Sequence, residues 1–230
     1  MCGRYITPQD SELETVFEIV GPRDAAWAQQ VFNVAPSMTV PVIRWREGRR
    51  ELVGMRWGLI PAFARGVAGQ FNTINARIET VRTSSAYRDA WRRGQRCLIP
   101  ANGFYEWQAR ADNKQPWFIG CADQPVFAFA GVWDSSVPAS GEPVLSCTII
   151  TLPASPMMAD IHNVRQREPA ILRREHWQCW LSGTVDEAYA CLRQYPDELR
   201  SAWPVSRRVN SPRNNDAALA ARVQTAPALF

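Results

Sequence analysis

The sequence predicts an α+β fold in one domain, because strand-like segments outnumber helix-like ones and no linker divides the chain. The 230 residues include 17 prolines spread throughout, which argues against a helical bundle. With 46% hydrophobic and 21% charged residues, the composition is that of a globular protein with a sizeable core. It excludes a disordered chain, a collagen-like rod and a coiled coil. No apolar run approaches the roughly 20 residues that span a bilayer, so no transmembrane helix is predicted.

Six apolar segments, rich in β-branched and aromatic residues and bounded by turn-forming residues, predict strands. In chain order they are Val40–Ile43, Leu52–Ile60, Arg96–Ile99, Trp117–Ile119, Val126–Trp133 and Cys147–Leu152. Four segments predict helices, namely Ser11–Ile19, Thr83–Arg93, Arg174–Leu181 and Asp186–Arg193. The first opens with the Ser-Glu-Leu-Glu pattern of a capped helix, and Gly94 ends the second. The last residues are polar and then alanine-rich, so we expect a tail over 211–230 that is packed or partly loose.

The charge balance permits a polyanionic partner without requiring one, since the formal net charge is +4. Nearly all the basic residues are arginines, and Lys114 is the only lysine. If the protein forms a Schiff base with a carbonyl compound, the nitrogen must therefore come from Lys114 or from the α-amine of the chain.

The six cysteines lie at wide, irregular spacings without a C-x-x-C pair, which is poor evidence for a zinc site or a disulfide framework. The five internal cysteines are interpreted as core residues. Cys2 differs because removal of Met1 would leave it with a free amine and a thiol on adjacent carbons. The first five residues lack the apolar segment of a signal peptide, so we expect an intracellular, reducing compartment.

Common catalytic templates are absent from the sequence, including the P-loop, H-E-x-x-H and G-x-S-x-G patterns. Four segments nevertheless carry polar groups inside an apolar frame, as a site on a rigid sheet requires. They are Cys2–Tyr5, Asn72–Thr80, Ile99–Trp107 and Met158–Asn163.

Each polar group in these segments also has an ordinary structural interpretation. Asn75 could be a turn residue, and Glu106 could lie on the solvent face of an alternating strand. His162 could be a hydrogen-bonded structural histidine, and Arg4 and Arg77 could be surface charges. Taken one at a time, these residues leave both alternatives open.

Taken together and in order, seven motifs closely resemble the SRAP family, the abasic-site processing proteins, over about residues 2–210. The motifs are Met1–Arg4, Phe32–Pro36, Arg56–Pro61, Ile74–Thr80, Pro100–Trp107, Ile161–His162 and Pro204–Ser206. The resemblance implies a single α+β domain over residues 1–210, with a mostly antiparallel, barrel-like β core and peripheral helices.

The resemblance further implies a protein that binds single-stranded DNA in the DNA damage (SOS) response and joins covalently to an abasic site. By motif match Cys2 is the nucleophile, Asn75 and Glu106 line the site, and His162 is the acid–base residue. AP-lyase and autoproteolytic activities are implied as well. The scheme requires no metal or organic cofactor, and we expect a cytoplasmic monomer, nucleoid-associated if bacterial, without a membrane partner.

The same motifs imply a DNA contact surface. Arg4 and Arg77 match arginines that bind DNA phosphates, and Trp57 and Trp107 are expected to shape the site or to stack on bases. An aromatic wedge is expected between Pro61 and Phe71, with Phe63 as the candidate.

The chain departs from the family pattern after His162. The family commonly continues with a short basic-Met-Pro stretch, whereas residues 163–169 are longer here and Glu168 stands where an apolar residue is usual. The DNA contacts after His162 are therefore open.

The chemistry explains why a terminal cysteine suits this reaction. An abasic sugar opens to an aldehyde, and an α-amine, with a pKa near 7.7–8.0, is partly unprotonated at neutral pH and attacks it. The thiol then closes the imine to a thiazolidine ring. Two other functions remain open: a cysteine peptidase or N-terminal-nucleophile hydrolase built from the same residues, and a non-catalytic single-strand binding module that uses Arg and Trp.

Overall fold

The computed structural model describes residues 2–19, 29–67 and 72–224, and it confirms the predicted α+β class. The strands are β1 Arg4–Ile6, β2 Thr39–Arg46, β3 Arg49–Trp57, β4 Asn75–Arg77, β5 Arg96–Ala101, β6 Gly103–Ala109, β7 Lys114–Cys121, β8 Phe127–Ser136, β9 Val144–Pro153, β10 Arg167–Pro169, β11 Ile171–Leu172 and β12 Arg200–Pro204. The α-helices are α1 Asp10–Phe17, α2 Arg88–Arg92, α3 Pro156–Ile161, α4 Trp177–Ser182 and α5 Val185–Ala190.

Five of the strands close into a barrel. The pairing runs β9-β3-β2-β5-β8 and returns from β8 to β9. Four of the five pairings are antiparallel, and β3 with β9 is the parallel one. Closure leaves no free edge within this ring, and its interior is filled by apolar side chains. The barrel that the resemblance implied is therefore confirmed.

A second sheet brings the start of the chain to the barrel. Its order is β1-β6-β7-β12, with every pairing antiparallel. Strand β6 begins two residues after β5 ends, so it continues directly from the barrel. Arg4 on β1 pairs with Tyr105 on β6, which places Cys2 beside the middle of β6. From the barrel side, β4 pairs in parallel with β9, with Asn75 opposite Ile149.

The predicted strands are all present, but one of them is shorter than expected at its end. The apolar run Leu52–Ile60 extends past β3, which ends at Trp57. Gly58 adopts a φ of 114° there, a backbone conformation that residues other than glycine rarely adopt. The chain turns at this glycine, and Leu59 and Ile60 remain buried outside the strand.

The predicted helices are also present with different bounds. Helix α1 begins at Asp10, where the backbone N–H of the preceding Gln9 donates to Glu12 Oε2 at 2.8 Å and caps the helix. It ends at Phe17, because Glu18 adopts a left-handed backbone conformation. The helix expected over Thr83–Arg93 contains only α2, because the preceding residues form successive turns after β4.

The C-terminal segment packs on the second sheet as far as it is described. Leu219 is fully buried, and Trp203 Nε1 donates to the Ala220 carbonyl at 2.7 Å. Residues 225–230 lie outside the described residues, and the domain boundary at residue 210 stays a prediction.

The internal cysteines are core residues, as predicted, with Cys179 only partly buried. All six cysteines in the described part of the chain are free thiols. None of the described helices combines the length and the apolar character that crossing a membrane requires.

Candidate active site

Four predicted residues meet where β1, β4 and β6 approach the end of α3. Cys2 precedes β1, Asn75 opens β4, Glu106 lies within β6 and His162 follows α3. All four are buried, and the Cys2 side chain belongs to the apolar cluster that fills the barrel. Residues separated by up to 160 positions in the sequence thus share one site.

Asn75 is tied to Cys2 by its side chain. Asn75 Nδ2 donates to the Cys2 carbonyl at 2.9 Å, and the Asn75 carbonyl accepts from Tyr87 Oη at 3.2 Å. Within the described residues, the buried Asn75 Oδ1 has no hydrogen-bond donor. An orphaned buried acceptor costs free energy unless a ligand or a processed chain supplies a donor. The interpretation of Asn75 as a turn residue is wrong, since it pairs within a strand.

Glu106 and His162 face each other in the buried part of the site. Glu106 Oε2 lies 3.9 Å from His162 Nε2, and their side chains are 3% and 9% exposed. Burial raises the pKa of the Glu106 carboxyl, and the nearby His162 partly offsets this. The solvent-face interpretation of Glu106 is therefore wrong. A separation of 3.9 Å is too long for a direct hydrogen bond, but one substrate oxygen can contact both groups.

The orientation of His162 is set by its other ring nitrogen. His162 Nδ1 lies 2.8 Å from the Arg167 carbonyl, so a proton on Nδ1 donates to that oxygen. In the neutral ring the lone pair is then on Nε2, directed toward Glu106. His162 is thus hydrogen-bonded, as expected of a structural histidine. Its Nε2 also faces the cleft.

Helix α3 carries His162 to this position. Ser155 Oγ caps the helix by accepting from the Met158 backbone N–H at 3.4 Å, and Pro156 follows at the first helical position. Asp197 accepts from Ser155 Oγ at 2.6 Å and from the Met157 N–H at 3.0 Å. These bonds fix the start of the short helix, and its last turn sets the backbone of His162.

The Cys2 thiol is protonated in this environment. Burial raises its pKa above the ordinary value, and the charge of Glu106 raises it further. The thiol donates to the Arg4 carbonyl at 3.8 Å. Cys2 is therefore a weak nucleophile through sulfur alone while it is enclosed in this way.

Trp57 shapes the site from inside the core and does not stack on bases. The side chain is fully buried, in edge contact with Tyr5 at a ring-centroid distance of 5.2 Å. Trp57 Nε1 donates to the Ile74 carbonyl at 3.0 Å, immediately before Asn75. The base-stacking alternative for Trp57 is wrong, because no face of the ring reaches the surface.

The remaining predicted DNA-contact residues lie on two sides of the site. Arg4 is half-buried and donates to Asn33 Oδ1 at 3.0 Å and to the Val209 carbonyl at 2.9 Å. Trp107 is also half-buried, and its Nε1 donates to Asn210 Oδ1 at 2.8 Å. Arg77 is exposed, two residues beyond Asn75 on the same face of β4. The structure therefore brings Arg4 and Trp107 together beside residues 209–210, whereas Arg77 lies on β4 without a contact to either.

A cleft of about 290 Å³ opens onto Glu106 and His162. Its other lining residues are Trp107, Lys114, Val164 and Arg165. The sequence identified Lys114 only as the sole lysine, and Arg165 only as part of the extended segment. The spacing of apolar residues could not identify Lys114 and Arg165 as cleft residues, because the cleft forms only where β7 and the turn after α3 come together in the folded chain.

The unusual Glu168 is a buried ion-pair partner. Glu168 Oε1 lies 2.7 Å from Arg200 Nη2, with both side chains fully buried. Glu168 Oε2 accepts from the Ser155 N–H at 2.8 Å. The polar residue in an apolar position thus supports the start of α3, and through it His162.

Phe63, the candidate wedge residue, is 54% exposed in the turn Ala62–Ala64. The stretch 68–71, also part of the predicted wedge region, lies outside the described residues. Among the described residues, no group of three or more His, Cys, Asp or Glu side chains is placed to hold a metal ion.

The chain is similar to known proteins along nearly its whole length. The family model SRAP, described as SOS response associated peptidase, matches residues 1–212. The chain is 36% identical to abasic site processing protein YoaM of Bacillus subtilis, over 95% of this chain and 97% of that protein. It is 33% identical to abasic site processing protein YedK of Escherichia coli, over 95% and 98% of the two chains. A solved structure from Bordetella bronchiseptica, 29% identical, superposes with a TM-score of 0.78 over 89% of this chain and 100% of that chain.

Proposed function

The chain belongs to the SRAP family of SOS response associated peptidases, and on that basis we propose that it binds single-stranded DNA and captures abasic sites covalently through Cys2. Relatives at 33% and 36% identity are named abasic site processing proteins. The observation that carries the proposal is the convergence of Cys2, Asn75, Glu106 and His162 on one buried site with a cleft beside it.

Capture begins with the amine of Cys2. While Met1 is attached this nitrogen is an amide, so Met1 must first be removed. The raised pKa of the thiol supports an order in which nitrogen attacks before sulfur. The α-amine of a free N-terminus has a pKa near 7.7–8.0, which leaves part of it unprotonated at neutral pH.

The reaction then proceeds in balanced steps. The sugar ring opens when its C1′–O4′ bond breaks: His162 Nε2 takes the proton of the C1′ hydroxyl and passes it to O4′, which gives the open aldehyde with no net change in protons. The Cys2 nitrogen bonds to C1′, and loss of one water gives the imine. The thiol sulfur adds to C1′ while the thiol proton passes to nitrogen, which closes the thiazolidine. One water is released overall, and the DNA strand stays intact.

Glu106 and Asn75 have complementary roles in these steps. The raised pKa of Glu106 suits a carboxyl that exchanges protons with the amine and the departing water. Asn75 Oδ1, which lacks a hydrogen-bond donor among the described residues, is placed to accept from a group that is present only in the reacting complex. That group is either the freed Cys2 amine or a sugar hydroxyl. If sulfur fails to trap the imine, loss of a C2′ proton expels the 3′ phosphate, which gives strand cleavage. The same site is proposed to cleave the Met1–Cys2 bond.

A cysteine-peptidase mechanism acting on unrelated substrates is less well supported. Such enzymes need a thiolate activated by a paired histidine. Among the described residues, the Cys2 thiol donates to the Arg4 carbonyl, and His162 Nε2 faces Glu106. A passive binding module does not account for the burial of these four groups together.

The test is formation of a heat- and SDS-resistant complex with a single-stranded oligonucleotide that contains one abasic site. The same oligonucleotide without the lesion is the control substrate. Cys2→Ser is expected to bind the DNA but to give no stable complex. A stable complex formed equally well by Cys2→Ser would overturn the proposal, and so would the absence of a complex with the mature wild-type chain.

A further inference from the structure

The mouth of the cleft carries two cations that the reaction scheme does not use. Lys114 opens β7, and Arg165 lies in the turn between His162 and β10. Both side chains are exposed. Among residues 2–19, 29–67 and 72–224, neither side chain has a hydrogen-bond or ion-pair partner. These charges are therefore available to a ligand at the same opening that leads to Glu106 and His162.

The turn that carries Arg165 is held in place. Asn163 accepts at Oδ1 from the Ala109 N–H at 3.0 Å and donates from Nδ2 to the Ala109 carbonyl at 3.0 Å. This pair of bonds imitates a rung of an antiparallel ladder. At the other end of the turn, the Gln166 N–H donates to the His162 carbonyl at 2.9 Å.

The anchor also determines what lies next to the turn. Ala109 is the register partner of Lys114 in the pairing of β6 with β7. Arg165 is therefore fixed beside the strand pair that carries Lys114. We call Lys114 and Arg165 the cationic lip of the cleft.

Electrostatics explains why such a lip is needed. A DNA strand brings phosphates to a cleft whose floor contains the Glu106 carboxyl, and like charges repel in a partly desolvated site. Cations at the mouth neutralise the phosphates before they meet the acidic floor. Lysine and arginine both bind phosphate oxygens by charge-assisted hydrogen bonds.

We propose that the cationic lip binds backbone phosphates of the single strand next to the abasic sugar and so presents the sugar to the cleft. The proposal rests on the proposed function, and it gives the extended segment after His162 a role in DNA binding. Lys114 acts here through its charge, not as an imine-forming amine.

The test measures equilibrium binding without the covalent step. The Cys2→Ala chain is titrated against a fluorescent single-stranded oligonucleotide that contains a tetrahydrofuran abasic analogue, at several salt concentrations. Each phosphate contact contributes about −0.7 to the slope of log K against log salt for single strands. When added to the Cys2→Ala chain, Lys114→Ala and Arg165→Ala are each expected to make the slope shallower by about 0.7 than that of Cys2→Ala alone. Each is also expected to weaken binding several-fold at low salt.

Two controls separate charge from other causes. Lys114→Arg, made in the same Cys2→Ala chain, keeps the charge and is expected to retain the slope of that chain. Arg46→Ala removes an exposed arginine paired with Glu47 at the end of β2, and it is expected to leave the slope unchanged.

The outcomes distinguish this inference from the proposed function. If Cys2→Ala binds the oligonucleotide but Lys114→Ala and Arg165→Ala keep its slope and affinity, the lip is not a phosphate site and the inference is overturned. If the slope falls equally for Arg46→Ala, the effect is one of net charge and the inference is again overturned. If Cys2→Ala does not bind single-stranded DNA at all, the proposed function fails, and the inference fails with it.

Discussion

The buried pair of Glu168 and Arg200 gives the sharpest prediction of stability. Replacing Glu168 with Met restores the apolar character that the family pattern has there, but it leaves a fully buried guanidinium without its closest carboxylate. Removing one partner of a buried ion pair costs about 3–5 kcal/mol. The Ser155 N–H also loses its acceptor. Asp197, with Oδ1 3.5 Å from Arg200 Nε, limits the loss, so we expect a decrease of about 3 kcal/mol in the free energy of unfolding.

The double substitution Glu168→Met with Arg200→Met is expected to recover most of that loss. Replacing a whole buried pair with apolar side chains is often neutral, and the smaller Met at position 200 leaves a modest cavity. We expect the double variant to lie within about 2 kcal/mol of wild type. The exposed pair of Arg173 and Glu175 is the matched control, and breaking it should cost less than about 1 kcal/mol.

Urea unfolding followed by tryptophan fluorescence measures these differences, with an unchanged m-value as the check on comparability. If Glu168→Met costs no more than the surface control, the reasoning about an uncompensated buried charge is wrong. If the double variant is less stable than both single variants, the two side chains are not coupled as the geometry requires.

Three further substitutions test the site. Asn75→Ala removes the donor to the Cys2 carbonyl and should slow crosslinking by about tenfold, the equivalent of one hydrogen bond, with noncovalent DNA affinity unchanged in an anisotropy titration. Trp57→Phe removes the donor to the Ile74 carbonyl and should lower the free energy of unfolding by about 1–3 kcal/mol in urea, whereas an unchanged stability would mean that this bond is not formed. Glu106→Gln should be more stable than wild type at pH 8. Because burial raises the pKa of Glu106, its contribution is fully present below the unfolded carboxyl pKa of about 4.3 and is lost as the pH rises through the folded pKa, so the advantage should vanish near pH 4.

The long apolar strands of the barrel could be predicted from the sequence because β2, β5, β8 and β9 each bury a continuous run of side chains. The short strands could not. β1, β4 and β12 have three to five residues, and they form only because neighbouring strands pair with them. Their sequences mix polar and apolar residues without a clear period, so local pattern gives no signal. The turn at Gly58 likewise depends on a backbone conformation that an apolar run does not reveal.

Polar residues in apolar surroundings are conspicuous in a sequence, and this pattern singled out the segments that contain Asn75, Glu106 and His162. The structure decides against two of their structural alternatives, whereas the catalytic roles of the three residues came from the resemblance and stay predictions. The role of Trp57 could not be decided from the sequence, since burial depends on tertiary packing. Glu168 is visibly unusual in the sequence, but its partner Arg200 is not, because two residues 32 positions apart meet only in the folded chain.

The most direct test of the central claim is the intact mass of the purified chain before and after incubation with an abasic single-stranded oligonucleotide. We expect a protein that lacks one methionine residue, and then a product whose mass is the sum of protein and oligonucleotide less one water. A chain that retains Met1 and still forms the crosslink would contradict capture through Cys2, because the nitrogen of Cys2 would then be unavailable.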